Sequence, residues 1–206
     1  CDRRQRQMCI RDRLAKENKK FFFGQIKKGA RSSEFEIAIQ WLLDCGLVYK
    51  VNRVNEPHMP LKAYKNMNAY KLFVLDVGLL GAMSELPAES ILEGNDIFVE
   101  FKGALTEQYV LQQLISDTPY TPYYYGNEKA TFEQDFLIQK AKSIVPIEVK
   151  AEQNIRSHSL KTYCEKFQPE EAVRFSTLKY KEQEWMVNIP SVSYTHLRAH
   201  ETRRHL

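Results

Sequence analysis

The residues in this chain best suited to chemistry stand in its C-terminal half: Glu107, Asp135, Glu148 and Lys150. Asp135 falls within Phe132-Glu133-Gln134-Asp135-Phe136-Leu137-Ile138, and Glu148 and Lys150 fall within Ile144-Val145-Pro146-Ile147-Glu148-Val149-Lys150, both patterned as strands. Strand residues two apart share a face. Glu148 and Lys150 are therefore expected to project together, with Val149 turned into the core, and Asp135 on a neighbouring strand can meet Glu148. Two carboxylates, with the Val149 carbonyl, offer the oxygen ligands that a hydrated Mg²⁺ or Mn²⁺ accepts. Such an ion polarises a phosphoryl oxygen and lowers the pKa of a bound water. Lys150 is placed to orient that water or to stabilise charge developing on the phosphate. Glu107, one turn inside its helix, completes the metal shell or holds a water beside it. The chemistry expected is metal-dependent phosphodiester hydrolysis.

Plainer readings compete with this one. Glu-x-Lys arises by chance on strands, where a solvated carboxylate-lysine pair explains it. What favours a site is the full set: four residue types in order, on suitable elements, with a short spacing from Asp135 to Glu148. Glu133 points the same way as Asp135 and reads as a surface carboxylate. Tyr123, Tyr124 and Tyr125 have faces that stack on bases, yet strand aromatics usually pack in cores and across strands, and packing is the reading adopted. His58, set among Pro57 and Pro60, reads as a loop residue, and Lys27, Lys28 and Arg31 read as a solvated turn.

The elements that must position these residues follow from hydrophobic period. In the first half, Ser33-Glu34-Phe35-Glu36 is a capping-box signal. Phe35, Ala38, Ile39, Leu42 and Leu43 then recur at helical spacing, and Gly46 stands where a left-handed cap ends the helix. Leu47 to Val54 alternates as a strand, the prolines of Asn55–Pro60 break it, and Leu61-Lys62-Ala63-Tyr64 is expected as the return strand. With the apolar segment Tyr70–Leu80, these fit a winged helix-turn-helix. In the second half, Lys102–Ile115 has helical spacing, Tyr123–Tyr125 a strand pattern, Ser159–Phe167 a helical one and Ala172–Ser176 a strand one. The expected order there is α-β-β-β-α-β. Pro146 cannot donate to a ladder, which predicts an edge or strand-entry position.

That order and the pattern Asp135…Glu148-x-Lys150 resemble the PD-(D/E)xK nuclease superfamily. More narrowly, three stretches resemble the C-terminal domain of unknown function of prokaryotic AAA-family ATPases: Lys102-Gly103-Ala104-Leu105-Thr106-Glu107-Gln108-Tyr109-Val110, Asp135-Phe136-Leu137-Ile138 and Pro146-Ile147-Glu148-Val149-Lys150-Ala151. Leu72–Leu80 extends the match. The resemblance implies an ATPase domain, then a winged-helix region, then a nuclease-like domain. No Gly-x-x-x-x-Gly-Lys-Ser/Thr loop occurs here, so ATP would bind only in the ATPase domain of the full-length chain.

The Arg/Gln-rich start, Cys1–Asp12, and the last stretch, Ser191–Leu206, lack any hydrophobic period and resemble translated sequencing-adapter tails of metagenomic reading frames. Both are set aside from fold reasoning as non-native or disordered. The formal charge of +4 then disappears: Arg13–Pro190 holds 23 basic and 23 acidic residues. A basic balance would have pointed to nucleic acid, and its loss leaves that partner to be argued locally. Four cysteines, of which only Cys45 and Cys164 lie inside these limits, form neither a zinc site nor a disulfide framework. They read as small buried hydrophobes in a reducing cytoplasm. No apolar run approaches the ~18 residues of a membrane span.

The expectation is an α/β (α+β) chain. Residues 13–82 form a winged-helix-like module, 83–99 a linker and 100–190 a restriction-endonuclease-like domain. Its function is Mg²⁺- or Mn²⁺-dependent cleavage of DNA within a C-terminal fragment of a cytoplasmic ATPase; the alternative is a non-catalytic DNA- or protein-binding module.

Overall fold

Apolar residues at helical spacing put Phe35, Ala38 and Ile39 on the buried side of α1 (Ser32–Asp44). Ser33, expected just ahead of this helix as its cap, lies inside it. The expected ending is present: Gly46 has φ +66°, its N–H donates to Leu43 O at 2.9 Å, and the Leu47 N–H reaches back to Leu42 O at 3.0 Å. That pair of bonds closes the helix as a Schellman motif. In the computed structural model the described residues are 32–84, 96–126, 132–151 and 157–191. Lys27, Lys28 and Arg31, and most of the two set-aside ends, lie outside them.

These residues gather into two units. The first draws on residues 32–53 and Asn66–Gln112. It holds α1, most of β1 (Val48–Val54) and of β2 (Lys65–Val74) lying side by side, α2 (Val77–Met83) and the greater part of α3 (Asp96–Asp117). Its core is Phe35, Ala38, Ile39, Val48, Tyr70, Leu72, Val74 and Leu80. The segment expected as a return strand is instead a 3₁₀ turn, Leu61–Tyr64, and the strand begins at Lys65. Leu61 is the reason. Its side chain is fully buried with Val54, Tyr123, Tyr125, Leu137 and Tyr163 in the second unit's core, and a tertiary contact outweighs local strand pattern. The apolar run Tyr70–Leu80 divides where Asp76 caps α2, its Oδ1 accepting the Leu79 N–H at 2.8 Å. Residues 96–99, expected as linker, are already helix in α3.

The second unit comprises Val54–Lys65 and the chain from Gln113 onward. Its strands are β3 (Tyr123–Gly126), β4 (Glu133–Lys140), β5 (Ser143–Val149), β6 (Val173–Ser176), β7 (Lys181–Glu182) and β8 (Val187–Pro190), laid out as β3-β4-β5-β6-β8-β7. β3, β4 and β5 pair antiparallel, β5, β6 and β8 run parallel, and β7 pairs antiparallel with β8. Helix α4 (His158–Phe167) makes the crossover from β5 to β6 and packs over β4 and β5. The chain is thus mixed α/β, and the short β7 and β8 extend the order read from the sequence. Ser191, set with the tail, belongs here: its N–H donates to Ser176 O at 2.8 Å.

Pro146 is not at an edge, since β5 has neighbours on both sides. The strand accommodates it because amides alternate in direction. Lys150 N–H donates toward β6, to Phe175 O, so position 146 also points that way, one residue before the β5–β6 pairing starts at Ile147. The tyrosines pack as expected, with Tyr123, Tyr124 and Tyr125 all buried. His58 and Glu133 are exposed. Cys45 departs from expectation: it lies just past α1 and is exposed. Cys164 on α4 is half-buried, and burial, then Glu165, pushes its thiol up to about 11. Among the described residues no helix is long and apolar enough to cross a membrane.

Candidate functional site

Three of the four residues singled out above lie in the second unit, on β4, on β5 and just past its end. The β4–β5 ladder closes at Phe136↔Ile147. One further step in the same register sets Asp135 opposite Glu148, and residues directly opposite share a face. Instead of a backbone acceptor, the Asp135 carboxylate takes the next amide: Oδ2 accepts the Val149 N–H at 2.7 Å. Asp135 thereby ties the two strands together where their ladder stops.

Glu148 is the most deeply buried member, 2% exposed. Its Oε1 stands 2.6 Å from the Lys150 Nζ, while Oε2 is buried with no hydrogen-bond partner among the described residues. Lys150 is about one-third exposed (32%), so its ammonium reaches from the buried carboxylate toward solvent. Glu148 and Lys150 do project together. Val149, however, is only half-buried, and Glu148 is the more enclosed of the two. The cause is α4: its Tyr163 packs with Leu137, on the β4 face that also carries Asp135. Burial raises the Glu148 pKa above the usual carboxylate range and the Asp135 charge adds to this, while the Lys150 hydrogen bond and charge and the Arg174 charge pull it down.

Arg174 was not among the sequence candidates. It sits in register with Glu148 on β6, and Asn188 on β8 sits in register with it, so Glu148, Arg174 and Asn188 form a polar row across one sheet face. Arg174 is 4% exposed. Its Nε donates to Asn188 Oδ1 at 2.8 Å and its Nη1 to Ser157 Oγ at 3.4 Å. Ser176 Oγ also donates to Asn188 Oδ1, at 2.7 Å, while the Asn188 amide donates to Lys179 O at 3.0 Å. Burial lowers the Arg174 pKa and Glu148 raises it. The signal that could have found this row was an arginine flanked by Val173 and Phe175 within a short buried strand.

Glu107 lies in the first unit, on α3, where its Oε1 accepts from Lys71 Nζ at 2.9 Å. Lys71 is only 3% exposed. The helix is fixed against β2 and α2 by two neighbouring amides: Gln108 donates to Val74 O at 2.8 Å, and Gln112 accepts the Val77 N–H at 3.1 Å.

Among the described residues no three His, Cys, Asp or Glu gather into a metal-binding group. Asp135 and Glu148 nonetheless suit a hard cation that keeps most of its water, since Mg²⁺ commonly takes only one or two carboxylates. The buried Glu148 Oε2 is an oxygen that such an ion would satisfy.

Residues 102–194 match the model of a family described as a domain of unknown function (DUF4143), and residues 4–90 match that of a second domain of unknown function (DUF8612). No curated protein and no solved structure matches the chain.

Proposed function

We propose that the second unit is a metal-dependent phosphodiesterase domain acting on nucleic acid, with Asp135 and Glu148 holding Mg²⁺ or Mn²⁺ and Lys150 serving the phosphate. The observation that carries this reading is the Glu148 Oε2, buried and without a hydrogen-bond partner among the described residues, beside a second carboxylate. An unsatisfied buried acceptor costs about 1–3 kcal/mol, and more when charged, so a carboxylate kept in that state is better explained by a ligand than by folding. A bound ion would supply a Lewis acid and a water of lowered pKa. The chain's own residues do the positioning. Asp135 holds the Val149 amide and so orients that peptide, Arg174 and Lys150 favour the ionised form of Glu148, and the solvent-facing Lys150 ammonium can meet a phosphate oxygen.

The order α3-β3-β4-β5-α4-β6, together with the PD-(D/E)xK resemblance, supports a restriction-endonuclease-like domain. In the first unit α1, β1 and β2 leave a winged-helix reading open. The resemblance to the C-terminal domains of prokaryotic AAA-family ATPases supports a place behind such an ATPase, where ATP would bind. One observation favours a second reading, a non-catalytic DNA- or protein-binding module: the equal numbers of acidic and basic residues from Arg13 to Pro190, because duplex binders usually show a basic excess.

Thermal unfolding with added Mn²⁺, paired with a plasmid-nicking assay, separates these readings. A working site raises Tm through ligand linkage and cleaves DNA, and Asp135→Ala removes both effects. Lys150→Ala keeps the Mn²⁺ shift while the rate falls by about 10²–10³. A Mn²⁺ shift without cleavage of any DNA or RNA would favour the binding module, and no shift at all overturns the metal site.

A further inference from the structure

On the far side of Arg174 from β5, the second unit carries a cleft of about 560 Å³ between α4 and the segment joining β7 to β8. That volume lies in the range of small-molecule pockets. Its walls combine three kinds of group. Arg174 presents a buried guanidinium that donates to the oxygens of Asn188 and Ser157 and shares the field of the neighbouring Glu148 carboxylate. Lys161 on α4 is an exposed ammonium that stands at the loose distance of 3.9 Å from Glu165. Opposite them Trp185 leaves 39% of its surface exposed on the cleft wall, although it is among the largest apolar side chains in the chain. Gln183 and Ser157 add neutral hydrogen-bonding groups.

A guanidinium held in a fixed plane suits the oxygens of a phosphate, and an accessible indole suits the face of a base. We propose that this cleft binds one nucleotide unit, its phosphate at Arg174 and Lys161 and its base stacked on Trp185. Arg174 is in register with Glu148 and shares its face, so a strand seated here would run toward the carboxylates. In that strand-bound form the proposal rests on the phosphodiesterase reading; as a nucleotide site it stands without it. A free nucleotide and a unit of a strand share this chemistry, and the test distinguishes them.

The chain has two tryptophans, so Trp41→Phe leaves Trp185 as the only indole. In the full chain with EDTA present, its fluorescence should be quenched saturably by an octathymidylate and by dTMP. Inorganic phosphate alone should leave it unchanged and compete weakly. Tighter quenching by the octamer identifies a strand site, and equal quenching by dTMP identifies a free-nucleotide site. With labelled octathymidylate, Lys161→Glu and Trp185→Ala should each weaken binding by about tenfold, both variants keeping the wild-type circular dichroism. Absence of quenching by octamer and dTMP alike, or undiminished binding in both variants, overturns the proposal. Mn²⁺ titration is the separate control. Quenching without a Mn²⁺ response would leave the cleft standing and remove the hydrolytic reading, and a Mn²⁺ response without quenching would do the reverse.

Discussion

At Glu148, stability and the proposed function pull in opposite directions. Its carboxyl pKa is raised in the folded protein, first by burial and then by Asp135. The ionised form is therefore penalised: the cost is absent below the unfolded carboxylate pKa, grows as pH rises through the interval up to the folded value, and is complete above it. Glu148→Gln is expected to raise Tm at pH 8 without metal, to lose that advantage in acid, and to abolish the Mn²⁺ shift. A variant less stable than wild type at pH 8 would show that the Lys150 and Arg174 interactions outweigh burial. Glu107 is the opposite case. Its removal takes the carboxylate away from Lys71, which is 3% exposed, and breaking one side of a buried pair costs about 3–5 kcal/mol. Urea unfolding of Glu107→Ala should show a loss of that order, and near-wild-type stability would mean that the pair carries little weight.

The elements behave as capping chemistry and alternation dictate. α1 ends because Gly46, just past it, takes a left-handed conformation (φ +66°), and a Cβ added there would meet nothing within 4 Å. The cost of Gly46→Ala is thus conformational alone, about 1–2 kcal/mol by the usual left-handed penalty, and chemical denaturation should show it with an unchanged m-value. Glycine and hydrophobic period made α1 and the neighbouring strands β4 and β5 readable in advance, while the division of Tyr70–Leu80 at Asp76 was not read. The return strand was misplaced because Leu61 is claimed by Val54, Tyr123 and Leu137, a contact set by residues far along the chain. β7 was missed because a strand of two residues is too short to display a period, and the four residues of β8 were not read as a strand.

For the molecule as a whole, the balance of charge limits how any nucleic acid is held. With Lys150, Lys161 and Arg174 as the cations facing it, roughly two or three phosphates would be neutralised, which predicts a slope of log K on log salt of about −2 for a single strand, at ~0.7 per phosphate. A slope several times steeper would require a basic surface elsewhere. The sequence by itself determined which residue types could meet: Asp135 and Glu148 on adjacent strands, Lys150 two positions on, Glu107 inside a helix. Those follow from strand and helix periods, which are local. Only the tertiary structure decided what surrounds them. α4 over the sheet buries Glu148 more than Val149, the parallel register with β6 brings Arg174 and then Asn188 into its row, and the packing of β2 against α3 gives Glu107 to Lys71. Burial and pairing across elements depend on register and on which face a helix covers, and a one-residue slip in strand register reverses every side chain of that strand. That information is carried by the assembled core and not by any single segment.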